Sequence, residues 1–229
     1  MPQLYIGNKN YSSWSMRAWV LMRQAGIEFE EVMLRFDGFS PESRFKQRVA
    51  EVSPAGQVPV LVDGDLAVWD TLAIAEYLAE RFPQNHLWPQ HPAHRARARS
   101  ICAEMHGGFS ALRGACPMNI EARLPEAGAL ALRDRPAVRA DLARIVQMWS
   151  GLLAEHGGPM LFGAFSIADA YYAPVVMRLE TYCLPVPADI RAYMDRVQQL
   201  EGVRAWIEGA LQEREFLDFE EPYRLGRGG

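Results

Sequence analysis

The chain has 229 residues, 49% of them hydrophobic, enough for one large domain or two modest ones with separate cores. Its 24 basic and 28 acidic residues are mixed along the chain for a net charge of −4, which excludes the basic footprint of a nucleic-acid binder. No run approaches the ~20 apolar residues that span a bilayer, and Met1–Gly7 lacks a charged leader, so a cytoplasmic protein with no membrane partner is expected.

Gln3–Ile6 reads as a short strand ending at Gly7. The polar turn Asn8–Ser13 then leads into a helix from about Ser15 to Ala25, with Ala18, Leu21, Met22 and Ala25 on one face and Gly26 closing it. Glu28–Leu34 alternates as a second strand, and Pro41 opens a helix to about Val52. Pro59 leads into an apolar strand, because proline cannot donate to a ladder and belongs at a strand's first residue. A turn at Asp63-Gly64-Asp65, a short strand and a helix from Asp70 to Phe82 complete a βαβαββα order.

The Pro-bounded connector Phe82–Pro89 marks the expected boundary between domains 1–83 and 90–220. Strand signals vanish beyond it, giving an α/β domain followed by an all-α one. His91–Ala115 reads as a long helix weakened by Gly107-Gly108, and Val138, Leu142, Ile145, Val146, Trp149, Leu152 and Leu153 form an amphipathic stripe. Further helices are expected over Ser166–Leu179, Asp189–Gln199 and Gly202–Arg214, with a loose polar end from Glu220 to Gly229. Ser166 and Asp169 have capping-box spacing on a helix apolar almost all round, which argues for its burial, and Pro174 should kink that helix.

Two features between residues 53 and 71 carry binding chemistry. Val58 precedes Pro59 at a junction where a cis bond costs only about 0.5–1 kcal/mol, and its N–H and C=O are left free to pair with an extended peptide. The helix opening at Asp70-Thr71 offers free N–H groups and a positive dipole end to a carboxylate. Together they ask for a small acidic peptide.

Ser53-Pro54-Ala55-Gly56-Gln57-Val58-Pro59-Val60-Leu61, followed by Asp70-Thr71, resembles the glutathione-binding half of the cytosolic glutathione S-transferases. The Ser-x-x-Asp start at Ser166 is similar to that of a core helix in the family's second domain, so the resemblance covers roughly residues 3 to 215. It implies a thioredoxin-like N-terminal domain, a helical C-terminal domain, glutathione as co-substrate and a homodimer. Carried over by position, Val58 pairs with the cysteinyl backbone, Asp70 takes the ammonium and Thr71 the carboxylate of the γ-glutamyl end, with Gln57 and Pro59 alongside.

The chemistry falls at Tyr11-Ser12-Ser13-Trp14-Ser15. A free thiol, with pKa near 8.5, is only about 3% thiolate at pH 7. Lowering that pKa by ~2 units takes about 2.7 kcal/mol. One charge-assisted hydrogen bond at ~1.5–3 kcal/mol, helped by a helix dipole, can supply it. Counting back from Arg17 as the family pattern implies gives Ser12 or Ser13, with Ser12 preferred; Tyr11 and Tyr5 are weaker rivals. The junction is most similar to the zeta class, whose Ser-Ser-Cys-Ser has a cysteine where this chain has Trp14. That substitution puts the zeta cis–trans isomerase activity in doubt without touching thiolate formation, and isomerisation or a non-catalytic binding role stand as alternatives to transfer onto a small electrophile. No cysteine precedes Cys102, which argues against mixed-disulfide chemistry, and three scattered cysteines suggest no disulfide framework.

Tyr11, His106, Phe109 and Arg113 are candidates for the electrophile side, the last three because they share a helical side. Arg95, Arg97 and Arg99 read as a solvated or dimer-facing helix side. Cys102 and Cys116 read as buried small hydrophobes. His91 and His94 could in principle clip a metal, but no third ligand is near in sequence and no metal is expected.

Overall fold

A computed structural model of the chain describes residues 1–227. Four strands, β1 (Gln3–Ile6), β2 (Glu30–Met33), β3 (Val60–Asp63) and β4 (Leu66–Trp69), form one sheet in the order β2-β1-β3-β4. β1 runs parallel to β2 and antiparallel to β3, with Leu4 opposite Leu61, and β4 returns antiparallel to β3 through the turn at Gly64. Three helices complete this half: α1 (Ser13–Gln24), α2 (Arg44–Ala50) and α3 (Thr71–Arg81). The expected βαβαββα order is the observed one.

α2 is shorter than the span expected from Pro41. The Asp37 carboxylate accepts the N–H groups of Arg44 and Phe45 at 3.1 and 3.0 Å, and Ser43 Oγ accepts that of Lys46 at 3.2 Å. These acceptors fix the helix start beyond Pro41. Under α2, Tyr11, Leu34, Phe36, Phe45, Val49 and Val60 form a small core on one side of the sheet.

A 3₁₀ turn at Pro83–Asn85 leads to the helical half: α4 (Pro92–Gly107), α5 (Ser110–Ala115), α6 (Pro125–Asp134), α7 (Pro136–His156), α8 (Ile167–Thr181), α9 (Ala188–Gln199) and α10 (Glu201–Glu213). The long helix expected over His91–Ala115 is two helices. Gly108 is extended and Phe109 takes a left-handed conformation (φ 54°), and a Cβ at Gly108 would lie 2.5 Å from the carbonyl oxygen of Glu104. α6 was not anticipated, although Pro125 at its first turn is a usual helix opener. α8 is buried along its length as expected and continues through Pro174. Among the described residues no helix is long and apolar enough to cross a membrane.

α1 is buried on nearly every side because it packs on the sheet, on α8 and on α10 at once. One apolar cluster therefore runs from Leu4 and Ile6 through Met16 and Val20 to Trp149, Tyr172 and Trp206, joining the halves. Close approach in the helical half depends on Gly128, whose added Cβ would meet the Tyr182 carbonyl oxygen at 2.0 Å. Gly128→Ala must push α6 off that backbone and is expected to cost about 2–3 kcal/mol in urea denaturation.

The end of the chain is not loose through residue 227. Glu213 accepts the N–H of Lys9 at 2.6 Å and of Asn10 at 3.3 Å, and Glu215 accepts from Asn8 Nδ2 at 2.7 Å and pairs with Arg35. Glu221 and Arg224, 5% and 8% exposed, are bonded to each other, and Arg224 and Arg227 also pair with Glu121. Residues 214–227 thus form a strap from α10 across the start of α1. The expected looseness at Gly228 and Gly229 lies outside the described residues.

Candidate active site

The site begins where β1 turns into α1. Gly7 donates its N–H to Ser15 Oγ at 3.1 Å, and a Cβ at Gly7 would collide with the Phe36 ring. Ser12 caps α1: its Oγ accepts the Ser15 N–H at 3.4 Å and donates to Ser15 Oγ at 2.7 Å. Ser13, in the first turn, has a different partner. Its Oγ accepts Nη2 of Arg178 from α8 at 3.1 Å. Both serines line a cleft of about 920 Å³ between the sheet half and the helical half, within the usual size of a small-ligand site.

On the sheet side the cleft is walled by Gln57, Val58, Pro59, Asp70 and Thr71. The Val58–Pro59 bond is cis, and among the described residues no hydrogen bond engages the Val58 backbone. Asp70, at φ 73°, caps α3 by accepting the Leu72 N–H at 2.8 Å. Its other carboxylate oxygen lies 3.2 Å from His106 Nε2. Thr71 is buried, and its hydroxyl shares a 2.5 Å hydrogen bond with Tyr171, which also hydrogen-bonds His106 Nδ1 at 3.1 Å. The hydroxyl of Thr71 is committed to α8, so what its position offers a ligand is the backbone N–H at the helix start.

Three guanidiniums, one from α1 and two from the helical half, gather positive charge here. Arg17, on α1, is 3% exposed and lies over the rings of Trp14 and Tyr171 at 4.1 and 4.6 Å. Its Nε and Nη1 have no hydrogen-bond partner among the described residues. Arg113 lies over Trp14 at 5.0 Å and donates to the carbonyls of His106 and Gly108. Arg178 donates to the carbonyl of Cys116 at 2.5 Å and to that of Arg113 at 3.3 Å. None of the three meets a carboxylate among the described residues. Burial, reinforced by cationic neighbours, pulls Arg178 down to about 10. Arg17 falls to about 10 for the same first reason, so both stay charged at neutral pH. Glu220 of the strap also lines the cleft, and burial pushes its carboxyl up to about 7.

Ten of the eleven residues singled out from the sequence as site candidates line this cleft: Tyr11, Ser12, Ser13, Gln57, Val58, Pro59, Asp70, Thr71, His106 and Arg113. Phe109 does not. The left-handed break between α4 and α5 turns it into the core, 7% exposed. Tyr11 reaches the wall, but its hydroxyl donates to Glu221 Oε1 at 2.8 Å and accepts the Leu217 N–H at 3.3 Å. Burial first, and the Glu221 carboxylate second, raise it to about 12, leaving a neutral phenol held by the strap. Burial likewise raises the thiols of Cys102 and Cys116, which excludes them as nucleophiles at neutral pH. Arg178, Tyr171, Lys46 and Glu220 were missed. Arg178 had a readable signal, as the one cation on a helix apolar almost all round.

The four-stranded sheet, with the Val58 backbone free of partners among the described residues and the start of α3 beside it, forms one wall of this cleft, and the helical half forms its roof. The chain belongs to the glutathione S-transferase family: residues 11–81 match the model for "Glutathione S-transferase, N-terminal domain" and residues 92–209 that for "Glutathione S-transferase, C-terminal domain". A stringent starvation protein A homolog of Haemophilus ducreyi is 23% identical over 86% of each chain. A probable maleylacetoacetate isomerase of Caenorhabditis elegans is 32% identical over 111 residues, 48% of this chain and 49% of that one. Among solved structures, a glutathione transferase homolog from Burkholderia with bound glutathione has the same fold, with a TM-score of 0.67, 22% identity, and coverage of 92% of this chain and 98% of that one.

Proposed function

We propose that the chain is a glutathione transferase that ionises the glutathione thiol and directs it at a small electrophile. The observation that carries this reading is the Arg178–Ser13 contact in the cleft. Ser12 already gives its proton to Ser15, whereas Ser13 is polarised by a guanidinium and keeps its own proton for the sulfur. We therefore assign the thiolate donor to Ser13 and leave Ser12 as the helix cap. A cation that came within about 5 Å of the sulfur would supply roughly 3 kcal/mol at an effective dielectric of 20, which is about 2 pKa units. Val58 pairs with the cysteinyl backbone, and Asp70 and the first N–H groups of α3 take the γ-glutamyl end.

The electrophile lies against Trp14, Met118 and Arg113, a wall that favours a planar acceptor carrying negative charge. Glutathione-dependent isomerisation of an unsaturated acid is a second reading, favoured by the 32% match to the probable maleylacetoacetate isomerase. A cytoplasmic homodimer belongs to the same proposal, and sedimentation velocity tests the dimer.

An ultraviolet pH titration of bound glutathione tests the central step. The bound thiol should titrate well below 8.5, and Ser13→Ala should raise it by about one unit with glutathione affinity within a few-fold. Ser12→Ala should instead cost about 1 kcal/mol of stability with the thiol little changed. A larger shift in Ser12→Ala would exchange the two roles, and an unshifted thiol in the wild-type chain would mean binding without activation.

A further inference from the structure

Outside the cleft, the fold closes up a set of metal-ligating side chains that the sequence holds far apart. His94 sits in the first turn of α4, and Glu155 and His156 are the last two residues of α7, just before Gly157 turns the chain at φ 69°. One ligand atom from each of the three lies within 4.8 Å of the others. The rings of His94 and His156 meet edge to face at 4.6 Å, and His91 lies against His94 at the same separation. None of these residues lines the glutathione cleft.

Packing alone leaves one atom unexplained. The His156 side chain is 8% exposed, and its Nε2 is buried without a hydrogen-bond partner among the described residues. A buried polar nitrogen left so costs about 1–3 kcal/mol. That nitrogen points at Glu155 Oε1, 3.9 Å away, too far for a hydrogen bond. The other oxygen of Glu155 is held by Arg97, which fixes the carboxylate and leaves Oε1 toward the rings. The C-terminal end of α7 adds the negative end of a helix dipole.

We propose that His94, Glu155 and His156 form a binding site for a borderline divalent transition ion, of the zinc class, that ties α4 to α7. Two imidazole nitrogens and one carboxylate oxygen are the donor set such ions take, with donor–metal distances of about 2.0–2.2 Å. Tetrahedral donors then stand about 3.3 Å apart, so the Nε2–Oε1 gap needs to close by well under 1 Å. Arg97 serves as the outer partner that orients the ligating carboxylate. With three protein ligands, the fourth position is open to solvent.

The test titrates Zn²⁺ into the chelator-treated full chain by calorimetry. One ion should bind per chain, with affinity weakened at least tenfold in His94→Ala and in Glu155→Gln and unchanged in His86→Ala, whose ring is outside the cluster. Zn²⁺ should also raise the melting temperature of the wild-type chain and not that of the two variants. Footprinting of the wild-type chain with diethyl pyrocarbonate needs no variant: Zn²⁺ should protect His94 and leave His86 reactive. Equal binding by wild type and His94→Ala, no binding up to about 100 μM Zn²⁺, or unprotected His94 would each overturn the site.

Discussion

Asp169→Ala is expected to destabilise the chain by about 3–5 kcal/mol in urea denaturation while leaving the thiol pKa of bound glutathione unchanged. Asp169 is fully buried at the start of α8. Its carboxylate accepts the N–H of Ser166 at 2.9 Å, the N–H of Leu161 at 3.1 Å and the hydroxyl of Tyr193 at 3.1 Å. Alanine strands all three donors in the core and removes half of the cap that begins the helix. Each buried donor left unpaired costs about 1–3 kcal/mol, and a lost cap about 1.

Burial pushes the Asp169 carboxyl up to about 6 despite those hydrogen bonds. Its folded pKa therefore lies above the unfolded value near 3.9, and the native state holds more protons between the two. The stability this adds is fully present below about pH 4 and is lost as pH rises through about 6, a fall of roughly 3 kcal/mol. Asp169→Asn cannot titrate. Comparing its urea midpoints with the wild type at pH 4 and pH 8 should show this decline missing from the variant. An equal decline in both would assign the pH dependence to other groups.

Arg178→Met should raise the bound thiol pKa by about 1–2 units and lower kcat/KM at pH 7 by ten- to a hundredfold. Methionine fills similar space without charge, so Ser13 loses the guanidinium that polarises it. Stability should fall by about 1–3 kcal/mol, because the carbonyls of Cys116 and Arg113 lose their donor even as an unfavourably buried charge is removed, so the thiol pKa is read on the folded variant. That separates an electrostatic role from a packing one. Raising the pH should restore rate in the variant, because the thiol ionises without help once pH passes its free value. A variant that stays inactive at pH 9 would show that Arg178 acts on something other than thiolate formation.

The sheet half was legible because its signals are local. Pro59 opens β3, the Asp63-Gly64-Asp65 turn joins it to β4, and Asp70-Thr71 starts α3, each within a few residues. The break between α4 and α5 was less so, because a left-handed Phe109 is set by packing around Glu104 and Gly108 and not by propensity. The choice between the two serines was beyond reach. Ser13 and Arg178 are 165 residues apart, and nothing beside Ser13 in the sequence marks it as the one a guanidinium will find. The same holds for Tyr171, 100 residues from the Thr71 it engages. His94 and His156 belong here too: His91 and His94 looked like a pair alone until α7 brought two more donors beside them.

The strap that carries Glu215 and Glu221 also has a consequence in time. Domains are made and fold in order of synthesis, at about 5–20 residues per second. By the time residue 210 is joined, every strand and nearly every helix residue of both halves exists, yet the Asn8 amide N–H and the Tyr11 hydroxyl still lack the Glu215 and Glu221 carboxylates they later engage. The first loop of the site thus waits on residues made 207 and 210 positions after it, and removing the Glu215 and Glu221 carboxylates would leave both halves with a less fastened entrance to the cleft.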